Sequence, residues 1–195
     1  LLVRNPRVVF HFSRVRRDLR RLDRIDGFRG TQARLLAARL GMEAAEAEAL
    51  IERVIYGEWI SLLRRIRPFP HVSGALARLR AMGLRLGLMS DYPVERKLGF
   101  LGLQGLWDAS FCSEETGYLK PHAKPFQRLA RELGTEPSRI LYVGDSLSYD
   151  VRGAAAVGMH TALIGRQDPA SELCFRSYER FAELATGLDE EGARA

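Results

Sequence analysis

The sequence is poor in cysteine, has no long apolar run and contains neither a repeat nor a low-complexity segment. Its two cysteines, Cys112 and Cys174, lie far apart and match no zinc-binding or redox spacing, so we expect reduced thiols and a cytoplasmic protein. No stretch reaches the roughly 20 apolar residues that a membrane-spanning helix needs, and a soluble chain is predicted. With 195 residues and 46% apolar content, the chain can form one α/β domain or a core with a small helical insertion.

Positive charge is concentrated near the start of the chain. Residues 1–40 carry 11 arginines and three aspartates, whereas the remaining residues are close to neutral. Such asymmetry can mark an arm that binds nucleic acid or an acidic membrane, but an amphipathic helix with an arginine-rich solvated face explains it equally well. No aromatic interleaving or nucleic-acid motif accompanies the charge, so nucleic-acid binding is the disfavoured alternative. The arginines of this predicted helix are Arg14, Arg16, Arg17, Arg20, Arg21 and Arg24.

The first residue is Leu1 rather than methionine, and no recognisable signal sequence follows it. This start leads us to expect a chain cut from a longer one. It also removes the sequence information on targeting.

The first third of the chain is predicted to be a helical subdomain, residues 1–69. Residues 12–67 show helical periodicity without strand signals, and Pro68 and Pro70 break the pattern. The predicted helices include residues 31–40, ended by Gly41, then residues 43–55 and residues 59–66. The only candidate strand in this part is residues 8–12.

Residues 70–166 alternate between helix and strand. Strands are predicted at residues 84–89, 109–112, 140–143 and 160–164, separated by helices at residues 73–82, 93–101 and 125–133 and by one ending at residue 157. This alternation predicts an α/β fold with a Rossmann-like parallel sheet, helices on both faces and a ligand beyond the strand carboxyl ends. Residues 167–195 are predicted to form a C-terminal helix, residues 178–185, and a frayed acidic tail.

Three strand ends carry polar residues. Ser90 ends the first strand, where its hydroxyl and the following amides could hold an anion, although a serine here is also a common helix N-cap. Lys120 follows the second strand and precedes a helix, so that its ammonium could neutralise a phosphoryl group. Asp145 and Asp150 follow the third strand, where Asp145 could bind Mg²⁺ directly. Asp150 could bind the metal through water, orient Lys120 or favour the helix N-terminus.

Between Pro70 and Ile164, three segments together resemble the haloacid dehalogenase-like hydrolase superfamily: LGLMSDYP its second motif, GYLKPHAKPF its third and VGDSLSYDVRGAAAVGM its fourth. The resemblance implies a Mg²⁺-dependent phosphatase that forms an aspartyl-phosphate and acts on a small phosphorylated metabolite. Ser90, Asp91 and Lys120 would hold the phosphate, Asp145 and Asp150 the metal, and the helical residues would be a cap that selects the substrate. A phosphoryl-shifting mutase is a related possibility.

The nucleophile of that family, in a DxDx(T/V) motif at the end of an apolar strand, is missing before residue 70. Residues 8–12 run into His11 and Ser13 without a carboxylate in the required positions. Either the chain starts downstream of the motif, and then lacks the central strand of the sheet, or it is an inactive member that binds phosphorylated ligands. Asp91 stands where many relatives carry asparagine, and we expect it to cap the next helix rather than face the phosphate.

Overall fold

A computed structural model describes residues 5–23 and 25–181. Its first element is helix α1, Pro6–Leu19, so the candidate strand at residues 8–12 is wrong. Pro6 occupies the first turn, where proline costs no hydrogen bond. Val8, Phe12, Val15 and Leu19 recur at helical intervals and are all buried, because a helix, unlike a strand, places this spacing on one face.

The helical segment, residues 6–65, continues with α2 (Phe28–Leu40) and α3 (Ala44–Leu50). Gly41 ends α2 in the left-handed conformation, as predicted. The helix predicted for residues 43–55 is longer and changes type: it widens into a π-helix, Ile51–Trp59, before a 3₁₀ turn, Leu62–Arg65. Valines, isoleucines and alanines of these elements share one apolar core with α1.

Helices and strands alternate in the rest of the described chain. The strands are β1 (Gly87–Ser90), β2 (Ala109–Cys112), β3 (Leu141–Gly144), β4 (His160–Ile164) and β5 (Leu173–Phe175). The helices are α4 (Val72–Ala81), α5 (Glu95–Leu101), α6 (Ala123–Leu133) and α7 (Arg152–Ala155). A π-helical turn, Leu147–Val151, leads into α7. The predicted C-terminal helix appears as a 3₁₀ turn, Tyr178–Arg180, and its residues beyond 181 lie outside the described part of the chain.

Every strand pairing is parallel, which confirms the predicted α/β, Rossmann-like class. The strands nevertheless form two sheets rather than one. β1 pairs with β2, so that Ser90 lies beside Cys112, and β3, β4 and β5 form a second sheet in that order. Within residues 5–23 and 25–181, β1 and β3 therefore each keep one edge without a strand partner.

The sheet of β1 and β2 and the sheet of β3, β4 and β5 are called the half-sheets below. Two apolar cores, one on each face, join them. One joins Met89 and Phe111 of the first sheet to Tyr142 of the second through Phe126 and Leu129 of α6. The other joins Leu79 of α4 and Leu86, just before β1, to Ala162, Ile164 and Phe175 of the second sheet. Helices thus cover both faces, and the carboxyl ends of both sheets can meet.

Gly153 allows α7 to pack against the segment that carries Lys120. A Cβ at this position would lie 2.5 Å from the Phe126 ring and 3.0 Å from the Pro121 Cα. Gly153→Ala should therefore destabilise the protein by about 1–3 kcal/mol through overpacking, measured by urea unfolding. The matched control is Gly74→Ala in α4, where the Cβ would meet nothing within 4 Å, and which should instead stabilise by about 0.4–1 kcal/mol. Equal effects of the two substitutions would contradict this packing argument.

The apolar character of the helices and the state of the two cysteines can be seen in the structure. None of the helices in the described ranges combines the length and apolar character needed to cross a bilayer. Cys112 is buried, Cys174 is partly buried, and both thiols are free.

Candidate active site

A salt bridge joins the carboxyl ends of the two half-sheets. The Lys120 ammonium, in the loop after β2, donates to the Asp150 carboxylate, after β3, at 2.6 Å. Both side chains are largely buried, with 14% and 6% of their surface exposed. Two residues that are 30 positions apart in the sequence, and belong to different sheets, therefore form one site.

The Asp150 carboxylate is held from three directions. Besides Lys120, the Tyr142 hydroxyl lies 3.4 Å from Oδ1, and the backbone N–H of Ser146 donates to Oδ2 at 3.0 Å. The turn after β3 folds back so closely that a Cβ on Gly144 would lie 2.3 Å from the Asp150 Cβ. Only glycine fits at residue 144, and the turn holds the Asp150 carboxylate against the Lys120 ammonium.

The charge of Lys120 is well supported. Burial by itself would lower the pKa of Lys120, but its interactions with Tyr142, Asp150 and Asp91 outweigh burial and raise the pKa above its ordinary value. The ammonium is thus a permanent positive charge at the edge where a ligand is expected.

Ser90 ends β1 without capping the next helix. The helix predicted from Pro93 begins only at Glu95, after Val94, and has no side-chain cap. The Ser90 hydroxyl instead accepts a hydrogen bond from the backbone N–H of Tyr92 at 3.2 Å, and another from the Lys97 ammonium on α5. Of the two predicted roles, the capping one is wrong.

The expectation that Asp91 caps α5 is also wrong. Its carboxylate accepts from the Ser113 hydroxyl at 2.6 Å, from the backbone N–H of Lys120 at 3.1 Å and from the Arg20 guanidinium at 2.7 Å. Burial opposes ionisation of Asp91, but Lys120, the Ser113 hydrogen bond and Arg20 together lower its pKa. Asp91 is therefore a charged link that fixes the loops after β1 and β2, and its ionised carboxylate, which only accepts hydrogen bonds, has no donor to offer a phosphate oxygen.

Two of the arginines predicted for the solvated face of α1 point into the protein. Arg20 donates to Asp91 and to the Lys120 carbonyl, at 2.9 Å, and its guanidinium stacks on the Tyr149 ring at 4.2 Å. Arg16 is 2% exposed and bonds to the Asp91 carbonyl and the Glu114 carboxylate. These contacts attach the helical segment to the loops that carry the site, because a buried guanidinium must find several acceptors.

Asp145 differs from the other predicted site residues. It is exposed, and no group in residues 5–23 or 25–181 makes a hydrogen bond to its carboxylate. Burial raises the pKa of the Tyr178 hydroxyl, and the negative charge of Asp145 raises it further. The structure joins Asp91, Lys120 and Asp150 by hydrogen bonds and places the Ser90 hydroxyl beside Lys97, but in residues 5–23 and 25–181 it leaves Asp145 outside these contacts.

A metal ion at this edge would have few protein ligands. No group of three or more histidine, cysteine, aspartate or glutamate side chains in the described chain is arranged to hold one. Mg²⁺ commonly keeps several waters and takes only one or two carboxylates together with phosphate oxygens. The solvated Asp145 carboxylate fits that use directly, whereas the Asp150 carboxylate already accepts from Lys120 and Ser146 and fits contact through a metal-bound water.

Sequence patterns did not reveal Lys97, Arg16, Arg20 and Tyr142 as neighbours of the site. Lys97 lies on α5, seven residues after Ser90. This spacing does not predict a contact, because the sequence does not show the path of the loop between them. Tyr142 belongs to one apolar core, while Leu141 and Val143 beside it in β3 pack against the other, so only its hydroxyl distinguishes Tyr142 from an ordinary core residue.

Comparison with known proteins places this chain in a family. Residues 10–158 match the haloacid dehalogenase-like hydrolase family. The glyceraldehyde 3-phosphate phosphatase of Methanopyrus kandleri is 41% identical over 104 residues, covering 52% of this chain and 45% of that protein. The chain spans about half the length of the curated relatives it matches.

Solved structures agree at the level of the fold. A phosphatase of the same superfamily from Thermococcus onnurineus is similar with a TM-score of 0.60 and 26% identity, covering 82% of this chain and 89% of that one. A β-phosphoglucomutase from Clostridium difficile gives a TM-score of 0.69 at 16% identity, covering 95% and 93%. With the family match extending over most of the sequence and the Lys120–Asp150 pair joining its strand ends, the chain belongs to the haloacid dehalogenase-like hydrolases.

Proposed function

We propose that this chain forms part of a Mg²⁺-dependent phosphatase that hydrolyses the phosphoric monoester of a small metabolite. The observation that carries the proposal is the Lys120–Asp150 salt bridge, which joins the carboxyl ends of both half-sheets, with the Ser90 hydroxyl at the end of β1 beside Lys97. A hydroxyl donor and a buried ammonium supported by a carboxylate are suited to a phosphoryl group, whose negative charge needs fixed donors and cations.

Each residue then has a separate task. Lys120 neutralises a phosphoryl oxygen, and Asp150 keeps the ammonium in place with help from Tyr142 and Ser146. Ser90 donates a hydrogen bond to another phosphoryl oxygen, and the backbone amide of Asp91 lies next to it in the chain. Mg²⁺, held by Asp145 and through water by Asp150, would supply further charge neutralisation.

The proposal includes one further strand between β1 and β3. Each of these strands has an edge without a partner in the described chain, yet apolar cores and the Lys120–Asp150 bond join the two sheets. Parallel edges with this arrangement can accept a strand by backbone hydrogen bonding. Such a strand would end beside Ser90 and Lys120, where an attacking aspartate is required.

The helical segment is proposed to be the cap. Arg16 and Arg20 connect α1 to Asp91, Glu114 and the Lys120 carbonyl, so the segment lies against the loops of the site. A cap in this position would exclude water and contact the leaving group.

A three-carbon sugar phosphate is the first substrate to test, because the relatives from Methanopyrus kandleri, Methanocaldococcus jannaschii and Methanothermobacter thermautotrophicus bear the name glyceraldehyde 3-phosphate phosphatase. The free thiols fit a reducing compartment, and the cytoplasm is the proposed location. An arginine-rich nucleic-acid arm has less support, because Arg16 and Arg20 are engaged inside the protein.

Activity of the full-length enzyme should depend on Mg²⁺ and on Asp145. Asp145→Asn should lower kcat about 100-fold or more with p-nitrophenyl phosphate, because the metal loses its charged ligand, and a chelator should have the same effect on the wild type. The matched control is Asp168→Asn, in the loop after β4, whose carboxylate accepts from the Ala170 amide and which should retain activity. Unchanged activity of Asp145→Asn would refute the metal role.

The second candidate is an inactive module that binds phosphorylated ligands. It is favoured by the absence of a DxDx(T/V) sequence from residues 5–23 and 25–181. Phosphate binding without turnover in the full-length protein, with Mg²⁺ present, would support this candidate over the enzyme.

A further inference from the structure

We infer that Lys97 is a positioning residue of the phosphate site, which orients the Ser90 hydroxyl toward the ligand and adds a second positive charge beside that of Lys120. The inference rests on the proposed function and deepens it, because it concerns how the same site recognises a phosphoryl group. The sequence motifs do not include Lys97, which lies on α5.

The first argument is the number of hydrogen bonds that the Ser90 hydroxyl can donate and accept. A serine hydroxyl has one proton to donate and two lone pairs that accept. In Ser90 both lone pairs are used, one by the Tyr92 amide and one by the Lys97 ammonium. A lysine ammonium cannot accept, so the Ser90 proton must point elsewhere, and no group in the described residues accepts it. The hydroxyl is left as a donor for an external acceptor such as a phosphoryl oxygen.

The charge of Lys97 gives the second argument. The chain has three lysines among 30 Lys and Arg residues, and two of them, Lys97 and Lys120, lie at this site. Lys120 has Asp150 as its partner. For Lys97, by contrast, no carboxylate of residues 5–23 or 25–181 lies within salt-bridge distance, although the side chain is only partly exposed. A partly buried ammonium next to another cation is costly unless an anion accompanies it.

The electrostatics agree with this geometry. Burial, followed by the charge of Lys120, lowers the pKa of Lys97 to about 8, against the weaker opposite effects of Cys112, Asp91 and Glu95. Cys112 stays neutral over the relevant range because burial raises its pKa to about 12. Free Lys97 therefore begins to lose its proton just above neutral pH, and a bound phosphate dianion should hold the proton on.

The test is binding of inorganic phosphate to the full-length protein by isothermal titration calorimetry at about pH 7, with Mg²⁺ present. Lys97→Met removes the ammonium but keeps the apolar stem, and should weaken binding about 10- to 100-fold, the effect of losing a charge-assisted hydrogen bond. Lys97→Arg should recover most of the affinity. The control is Lys124→Met on α6, an exposed lysine whose ammonium lies over the Tyr118 ring, and it should bind phosphate as the wild type does.

A pH series separates this role from a purely structural one. Above about pH 7.5 phosphate is mainly a dianion, and wild-type affinity should fall as the pH rises through about 8, because free Lys97 loses its proton there. Lys97→Arg should show no such fall, since arginine remains charged. Lys97→Met should be weak at every pH. If Lys97→Met does not fold, as judged by circular dichroism, the comparison of wild type with Lys97→Arg still decides the matter.

Two outcomes would overturn the inference in different ways. If Lys120→Met loses phosphate while Lys97→Met binds it like the wild type, with the same pH dependence, Lys97 has no part in the site and the proposed function stands. If the wild type binds no phosphate under any of these conditions, the proposed phosphate site fails, and the role of Lys97 fails with it.

Discussion

Glu114→Gln should destabilise the protein by about 3–5 kcal/mol, the usual cost of leaving a buried charge without its partner. Glu114 follows β2, and its carboxylate contacts the buried Arg16 guanidinium. The Tyr56 hydroxyl donates to the same carboxylate at 2.9 Å, and Gln32 completes the network with bonds to Tyr56 and Arg16. Glutamine keeps the shape and one acceptor but leaves the Arg16 charge uncompensated.

The destabilisation is measured by urea unfolding, with Glu52→Gln as the control. Glu52 also pairs with an arginine, Arg29, at 3.1 Å, but both side chains are about half exposed or more, so its loss should change the stability by no more than about 1 kcal/mol. The double variant Arg16→Met/Glu114→Gln removes the stranded charge and should be more stable than Glu114→Gln alone. A double variant that is less stable than both single ones would show that the hydrogen bonds, not the charges, hold this network.

The same network has a functional consequence. Arg16 also bonds to the Asp91 carbonyl, so Glu114 anchors the arginine that holds the helical segment to the loop after Ser90. Glu114→Gln should therefore loosen the contact between the two parts of the molecule before it unfolds either one. Hydrogen exchange should rise first in α1 and in the loop of Asp91.

Lys120→Met should lower kcat of the full-length enzyme about 100- to 1,000-fold, as expected when a donor to the developing phosphoryl charge is removed. It should also destabilise the fold, because the buried Asp150 carboxylate loses its ammonium. The measurement is phosphatase activity together with urea unfolding.

The double variant Lys120→Met/Asp150→Asn distinguishes the two effects. Without the carboxylate, no charge is left unpaired, so stability should return toward that of the wild type while activity remains low. The amide oxygen that Asp150→Asn introduces can still accept the hydrogen bond that the Ser146 amide now donates to the carboxylate. Recovery of activity in the double variant would mean that Lys120 serves only to hold the fold.

The candidate site shows which of its residues can be identified from local sequence patterns. Lys120 and Asp150 could be named from the sequence because each follows an apolar strand, and parallel strand ends share one edge of a sheet. Asp91 is predicted to cap the next helix because a short polar residue before a proline usually does so, and this prediction is wrong. In the structure, Arg20 and Ser113 approach it from distant parts of the chain, and their positions depend on how the helical segment packs.

The error at residues 8–12 has a similar origin. A short apolar run fits either a strand or a buried helix turn, and the pattern alone does not separate them. The burial of Val15 and Leu19 in line with Val8 and Phe12 extends the helical spacing over three turns, which a strand would not satisfy.

The sequence by itself determined the α/β alternation, the parallel strands and the order of the polar residues at their ends, because periodicity, glycine and proline act over a few residues. Tertiary structure alone decided that Arg16 and Arg20 turn inward and that Lys97 reaches Ser90. The physical reason is that the packing of remote segments decides which buried partner comes within hydrogen-bonding distance of a charged side chain. The separation of two residues along the sequence does not indicate which partner that will be.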